Sequence, residues 1–301
     1  MGLISLCKAT SKKRLIIFGF LASILAGYFV IFIGLGFYGF PHQPRFNLKE
    51  NDKEIRVLGS KIRYRDIKGE GVPIIFIHGN NLSLDDWDAT ISHFEGQRMI
   101  ALDLIGFAGS DRPDLPYDIE CHQRYILKFM DALGIPEAVL VGHSMGGTIA
   151  AWTAAKSNER IQGVVMISLP GVPGSLIYAW PKSLICRAGV LNKLTFWIAN
   201  SSLFKYAFPL SLARQTLGVT GSYGPVFAEA LDDIHQPALL LMAPNDERTP
   251  IEFSQVYQEK IETLDFSKLP PEAGHMAPRT YPQGLASLMM DFLDDYEMVG
   301  P

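Results

Sequence analysis

Gly142-His143-Ser144-Met145-Gly146-Gly147 follows directly on the apolar run Ala138–Val141 and opens a stretch rich in small residues. The run reads as a buried strand and the small-residue stretch as a helix. A serine between two glycines on a strand-to-helix turn has a specific chemical meaning. The turn forces Ser144 into strained backbone geometry, and a Cβ at Gly142 or Gly146 would collide across it. The helix beneath then presents free N–H groups to a developing negative charge. Ser144 is therefore the candidate nucleophile.

Working outward, Val72–Ile77, Met99–Leu104, Val164–Ser168 and Ala238–Met242 are further strand-like apolar runs. Glu54–Leu58 and Lys61–Asp66 alternate around Gly59-Ser60, the pattern of a β-hairpin. Between the runs lie helical patterns. Residues 84–95 form one, and Ile126, Phe129, Met130 and Leu133 mark the face of a second that Gly134 and Pro136 terminate. Leu285, Leu288, Met289, Phe292 and Leu293 stripe the last helix. This alternation predicts an α/β fold: a mostly parallel, doubly wound sheet with helices on both faces. Residues 171–235 break the rhythm with many aromatics and no clear strand, and read as a helical lid. The core is then divided into 48–170 and 236–301.

The 301 residues carry a net charge of −4, unevenly spread. The first forty residues hold Lys8, Lys12, Lys13 and Arg14 and no acid; residues 171–228 hold Lys182, Arg187, Lys193, Lys205 and Arg214, again with none. An acidic body with a basic insert excludes a nucleic-acid binder and could orient the molecule at a surface. Residues 15–40 contain no charge, and 1–14 form a basic flank. That length predicts an uncleaved transmembrane anchor, with the N-terminus cytoplasmic and the catalytic domain extracytoplasmic. A cleaved signal peptide is the competing reading, but its apolar region is usually only about 7–15 residues. Cys7, Cys121 and Cys186 are far apart, with no metal-ligand spacing, and read as free thiols. Neither a metal nor a cofactor is expected.

The chain from about residue 53 to 297 resembles the α/β-hydrolase superfamily. The likeness rests on His78-Gly79-Asn80-Asn81, on Asp103 to Asp111 (Asp-Leu-Ile-Gly-Phe-Ala-Gly-Ser-Asp) and on the glycine-flanked serine. The resemblance implies an acid after a late strand and a histidine after the last one. Asp246, in Pro244-Asn245-Asp246-Glu247-Arg248-Thr249-Pro250, and His275, in Ala273-Gly274-His275-Met276, occupy those places. Glu247 is the alternative acid, and Thr249-Pro250 reads as the start of the next helix. The implied roles are His275 as proton carrier, Asp246 as its orienting partner, and the Met145 and Asn80 N–H groups as oxyanion hole. His78 reads as bracing the oxyanion loop and Asp103 as a structural residue. The side chain of His143 should point away from the pocket.

Two segments, His78-Gly-Asn80 and Asp103-Leu-Ile-Gly, also look like haloalkane dehalogenases of this fold. Those enzymes need an aspartate nucleophile followed by a halide-binding tryptophan; here the positions hold Ser144 and Met145. Epoxide hydrolases also need an aspartate, so acyl transfer to water remains. Tyr178, Trp180, Phe196, Trp197, Phe204, Tyr206 and Phe208 suit a small lipophilic ester substrate, although they equally suit the insert's own core. The lid's bases suit contact with anionic lipid or a plain solvated face. A carboxylesterase or monoacylglycerol-type lipase is thus the first expectation. A C–C bond hydrolase or an acyltransferase using the same residues, or a non-catalytic receptor, are the alternatives.

Overall fold

The computed structural model describes residues 46–157, 159–175, 201–207 and 212–298, together with Trp197 and six positions between 19 and 30. Strands β1 (Lys53–Val57) and β2 (Ser60–Ile67) form the expected hairpin. Its two-residue turn is Leu58-Gly59, one position earlier than the sequence suggested, because both residues take positive φ (50° and 83°). That is the backbone a tight hairpin needs to match strand twist.

Strand β3 (Glu70–Ile77) is followed by the 3₁₀ turn Leu84–Trp87, the short helix α1 (Asp88–Ile91) and β4 (Gln97–Leu102). The helix expected over 84–95 is thus broken into two short pieces. Ser83 caps the first turn, and its own main-chain N–H donates to Asp86 at 2.9 Å. Next come α2 (Ile119–Ala132), β5 (Ala138–His143), α3 (Met145–Lys156) and β6 (Ile161–Ile167). The insert contributes α4 (Ser202–Ala207), α5 (Ala213–Thr220) and α6 (Pro225–Ala230). Strand β7 (Ala238–Met242), α7 (Ser254–Lys260), β8 (Leu264–Lys268), α8 (Ala277–Thr280) and α9 (Pro282–Asp295) complete the fold.

The eight strands lie in the order β1-β2-β4-β3-β5-β6-β7-β8. Pairings from β4 to β8 are parallel, and only β1 and β2 run against their neighbours. Alternation along each strand splits the apolar side chains between two cores. Ile75, Ile77, Leu140, Val164, Met166 and Leu240 face one, packed by Ile126, Phe129 and Met130 of α2 and Ile149 of α3. Ile74, Phe76, Val139, Val165, Ile167 and Leu241 face the other, packed by Leu285, Met289, Phe292 and Leu293 of α9. Burying one such side chain is worth about 1.5–3 kcal/mol, so both faces must be covered. This confirms the doubly covered sheet.

Strand β8 was not foreseen. It is an edge strand whose Asp265, Ser267 and Lys268 break the apolar run that betrays the inner strands.

The N-terminal expectation is corrected. No helix among the described residues is long and apolar enough to cross a membrane. Within 15–40 only Gly19, Phe20, Ser23, Ala26, Gly27 and Val30 are described, and 1–14 lies outside the described residues. The membrane as a partner and the extracytoplasmic placement of the domain rested on that helix and are withdrawn with it. Of the lid's basic residues the structure describes the side chain of one, and that of Lys205 is among those it does not. Arg214 pairs with Asp114 of the core, and Lys182, Arg187 and Lys193 lie outside the described residues.

Candidate active site

The chosen loops converge at the C-terminal ends of the parallel strands. Asn80 follows β3, Ser144 follows β5, Asp246 follows β7 and His275 follows β8. Strand order reverses between β3 and β5, since β4 lies on the far side of β3; a doubly wound sheet opens its crevice at such a point.

Ser144 has φ 52° and ψ −122°, a left-handed conformation that a side chain rarely takes. The flanking glycines make it attainable. A Cβ on Gly142 would lie 2.3 Å from the Gly146 carbonyl oxygen, and one on Gly146 2.2 Å from that of Ile77. The Ser144 N–H donates to Ile167 O at 2.8 Å, which ties the bend to β6. The hydroxyl is thereby aimed away from the sheet towards His275, whose Nε2 stands 3.1 Å from Ser144 Oγ. On the other side of the imidazole, Nδ1 lies 2.9 and 2.8 Å from the two carboxylate oxygens of Asp246.

Asp246 is buried and well partnered. Its Oδ1 accepts from the Arg248 and Thr249 N–H groups, each at 2.9 Å, and its Oδ2 lies 2.6 Å from the Thr249 hydroxyl. Burial alone would raise the carboxyl's pKa. The His275 bond and charge, with the Thr249 donors, outweigh it and hold the group well below the usual carboxylate range. Glu247, the alternative acid, is exposed. Thr249 does not cap the following helix as its position suggested. That element begins as the 3₁₀ turn Ile251–Phe253 without a side-chain cap, and Thr249 serves Asp246 instead. The Asp-x-x-Thr spacing, in which a side chain accepts from the backbone two and three residues on, was the available signal for this.

Asn80 meets the lid: the Thr216 hydroxyl on α5 donates to Asn80 Oδ1 at 2.9 Å. The Met145 N–H is the first amide of α3 and so has no acceptor within the helix. Behind them, His78 is buried, with Nδ1 donating to Gly79 O at 2.7 Å and Nε2 accepting from Leu104 N at 3.0 Å. It braces the loop, and burial lowers its pKa.

Asp103 is structural, as read. It accepts from Leu84 N at 2.8 Å and Gly109 N at 2.9 Å, and pairs with Arg63 at 3.0 Å. Arg63 and Arg65, both buried, share Asp52 and Asp85 as further partners. Sequence reading passed over these arginines because alternating charges on a hairpin look solvated. Arg63→Met is expected to destabilise the protein by about 3–5 kcal/mol, since it strands buried carboxylates. Urea unfolding would measure this, and a loss under about 1 kcal/mol would refute the network's role.

Of the other histidines, His93 and His235 are exposed, and His42 lies outside the described residues. His122 is fully buried among Phe107 and Tyr117. Of the lid aromatics, Phe204 is buried and Trp197 exposed, while the other five side chains lie outside the described residues. Cys121 is a buried free thiol. Among the described residues no cluster of His, Cys, Asp and Glu could hold a metal.

A parallel sheet with a serine on the bend after its central strand, under a helical insert, defines a class of protein. The chain has the fold of the α/β-hydrolase superfamily. The family's sequence profile (alpha/beta hydrolase fold) matches residues 72–203. A haloalkane dehalogenase of Mesorhizobium japonicum is 35% identical over 115 residues, 38% of this chain and 37% of that protein. A 2-hydroxymuconate semialdehyde hydrolase of Pseudomonas sp. (strain CF600) is 33% identical over 131 residues, 42% of this chain and 46% of that one. The chain thus spans less than half the length of these curated relatives. Among solved structures, a bacterial membrane phospholipase A superposes with a TM-score of 0.68 at 21% identity, covering 98% of both chains. That likeness is one of fold.

Proposed function

We propose that the chain is a serine hydrolase that forms an acyl-enzyme on Ser144. His275 takes the hydroxyl proton as Ser144 attacks a carbonyl carbon, and returns it to the leaving group. Asp246 fixes the imidazole's tautomer and stabilises its charged form. Water, activated by His275 in turn, then releases the acid. The observation that carries this reading is the unbroken line Ser144 Oγ, His275 Nε2, His275 Nδ1, Asp246. The Met145 and Asn80 N–H groups are the proposed oxyanion donors, a contribution of about 2.7–4 kcal/mol for each at the transition state.

The relatives narrow the bond that is cleaved. Dehalogenation, the activity named for one of them, needs a carboxylate nucleophile, and Ser144 offers none. The 2-hydroxymuconate semialdehyde hydrolase favours cleavage of a C–C bond beside a ketone, where the leaving carbanion is delocalised through a dienone-type substrate. Hydrolysis of a carboxylic ester is the second reading, favoured by the same hydroxyl–imidazole–carboxylate line, which serves either leaving group.

The test has two parts. A fluorophosphonate probe is expected to label the folded protein on Ser144, mapped by peptide mass spectrometry; absence of labelling refutes the serine-hydrolase reading. Comparing kcat/KM for a dienone-type ketone and for p-nitrophenyl esters then separates the two bond classes. A ketone value at least about 100-fold higher, a gap of about 2.7 kcal/mol in transition-state binding, supports C–C cleavage. The opposite ranking supports the ester.

A further inference from the structure

The residue before the nucleophile has a side chain that none of the roles above uses. His143 is buried, and its Nε2 stands 2.7 Å from the main-chain oxygen of His275. A carbonyl oxygen only accepts, so Nε2 carries the proton and donates it. Nδ1 is then the bare nitrogen. It is buried with no partner among the described residues, against Gly79, where a Cβ would lie 3.1 Å away. Trp87 stands edge-on to the ring, with centroids 6.5 Å apart.

From this geometry we infer that His143 is a positioning residue, whose Nε2–H holds the backbone of His275 at the distance from which its imidazole reaches Ser144. The inference rests on the reading of Ser144 and His275 as nucleophile and base. His143, at the elbow before Ser144, and His275 are 132 positions apart and stand on different loops. Only a bond between those loops can set their spacing directly. His143 supplies one in a single step, because the residue that precedes Ser144 on the elbow grips the residue that carries the base. The other bonds on this side run to elements away from the elbow: Asp246 holds the imidazole, and the Thr90 hydroxyl donates to Pro278 O of α8 at 2.9 Å. The Thr280 hydroxyl lies 2.6 Å from Ala273 O and 3.0 Å from Met276 O, which fixes the loop to α8 but not to the elbow. Gly274, at φ 51°, lets the chain turn immediately before His275.

Chemistry supports permanence of the bond. Burial first, and the charge of His275 second, push the His143 pKa down to about 3. A proton on Nδ1 would also find no acceptor there. The ring therefore stays a neutral Nε2–H donor beside His275, 5.1 Å away between centroids, and does not compete for the serine's proton.

Two amide substitutions separate positioning from packing. In His143→Gln the amide nitrogen falls where Nε2 was and can donate to His275 O. In His143→Asn it falls where Nδ1 was and cannot. Both remove the ring, so losses of packing are shared. His143→Asn is expected to lower kcat by about 100-fold, the cost of roughly 1 Å of misplacement, with KM within about twofold. His143→Gln is expected to keep kcat within about threefold of wild type. The Nδ1–H resonance of His275, followed in 15N-histidine-labelled protein, should move in His143→Asn and stay in place in His143→Gln. Equal losses in both variants, or none in either, would overturn the inference. The resonance needs no turnover. A wild type that neither labels nor turns over would refute the proposed function, while the resonance still decides the role of His143.

Discussion

Replacing Ser144 with alanine is expected to lower kcat by about 10⁴- to 10⁶-fold, with KM changed by less than about threefold. The backbone at this position is strained, but alanine keeps the same Cβ, so the elbow pays nothing further for the exchange. The Ser144 N–H still bonds Ile167 O, and Gly147 N still bonds Ser144 O, at 2.8 and 2.9 Å in the native chain. Only the hydroxyl is lost, and with it one partner of His275. The residual rate is expected from substrate binding and the proposed oxyanion donors, which remain. Residues that act as one unit lose their function together. The double variant Ser144→Ala/His275→Ala should therefore fall no more than about threefold below the single one. Stopped assays at high enzyme concentration, with circular dichroism to confirm folding, measure both. A single variant within tenfold of wild type would show that the nucleophile lies elsewhere.

The contrast with Gly146 shows why the sequence could be read here at all. Alanine at that position would place a Cβ 2.2 Å from a backbone oxygen of β3, so glycine is a steric requirement that leaves a signature in the sequence. The same holds for the inner strands, whose apolar runs reflect burial on both faces. Where the physics leaves no such signature, reading failed. Strand β8 lies at the sheet's edge and needs no apolar run. The charge network of Arg63 and Arg65 with Asp52, Asp85 and Asp103 is invisible because its members come from four separate stretches. An apolar run at 15–40 looked decisive on length, yet no helix among the described residues is long and apolar enough to cross a membrane. Ser144, Asp246 and His275 could be proposed from the sequence only because chain order and local motif agreed with a known fold. What the sequence could not supply was the bond from His143 to His275 O or the service of Thr249 to Asp246, since both depend on loops meeting in space.

Asp246→Asn is expected to lower kcat by about 10⁴-fold, the cost of a base held in the wrong tautomer. Asparagine fits the site. Its Oδ1 can keep the Arg248 and Thr249 N–H donors, which places the NH₂ group where Oδ2 was. The Thr249 hydroxyl can accept from that NH₂, because its own proton has a second acceptor in Ser168 O at 3.1 Å. But the NH₂ also faces His275 Nδ1, and a donor there makes Nδ1 the bare nitrogen. Nε2 then carries the proton and points it at Ser144, so it can no longer take one. The loss is one of protonation rather than of folding, and fluorophosphonate labelling should slow in proportion. Stability follows the sign of the shift. The Asp246 carboxyl is held below its ordinary value of 3.8, so its ionised form stabilises the folded chain above that pH. The melting temperature of the variant should lie below wild type by a constant gap above that value. The gap should close as the pH falls further, towards the folded-state pKa. A gap that widens in acid would mean that the carboxylate is not the stabilised form, and that the imidazole is held by something other than its charge.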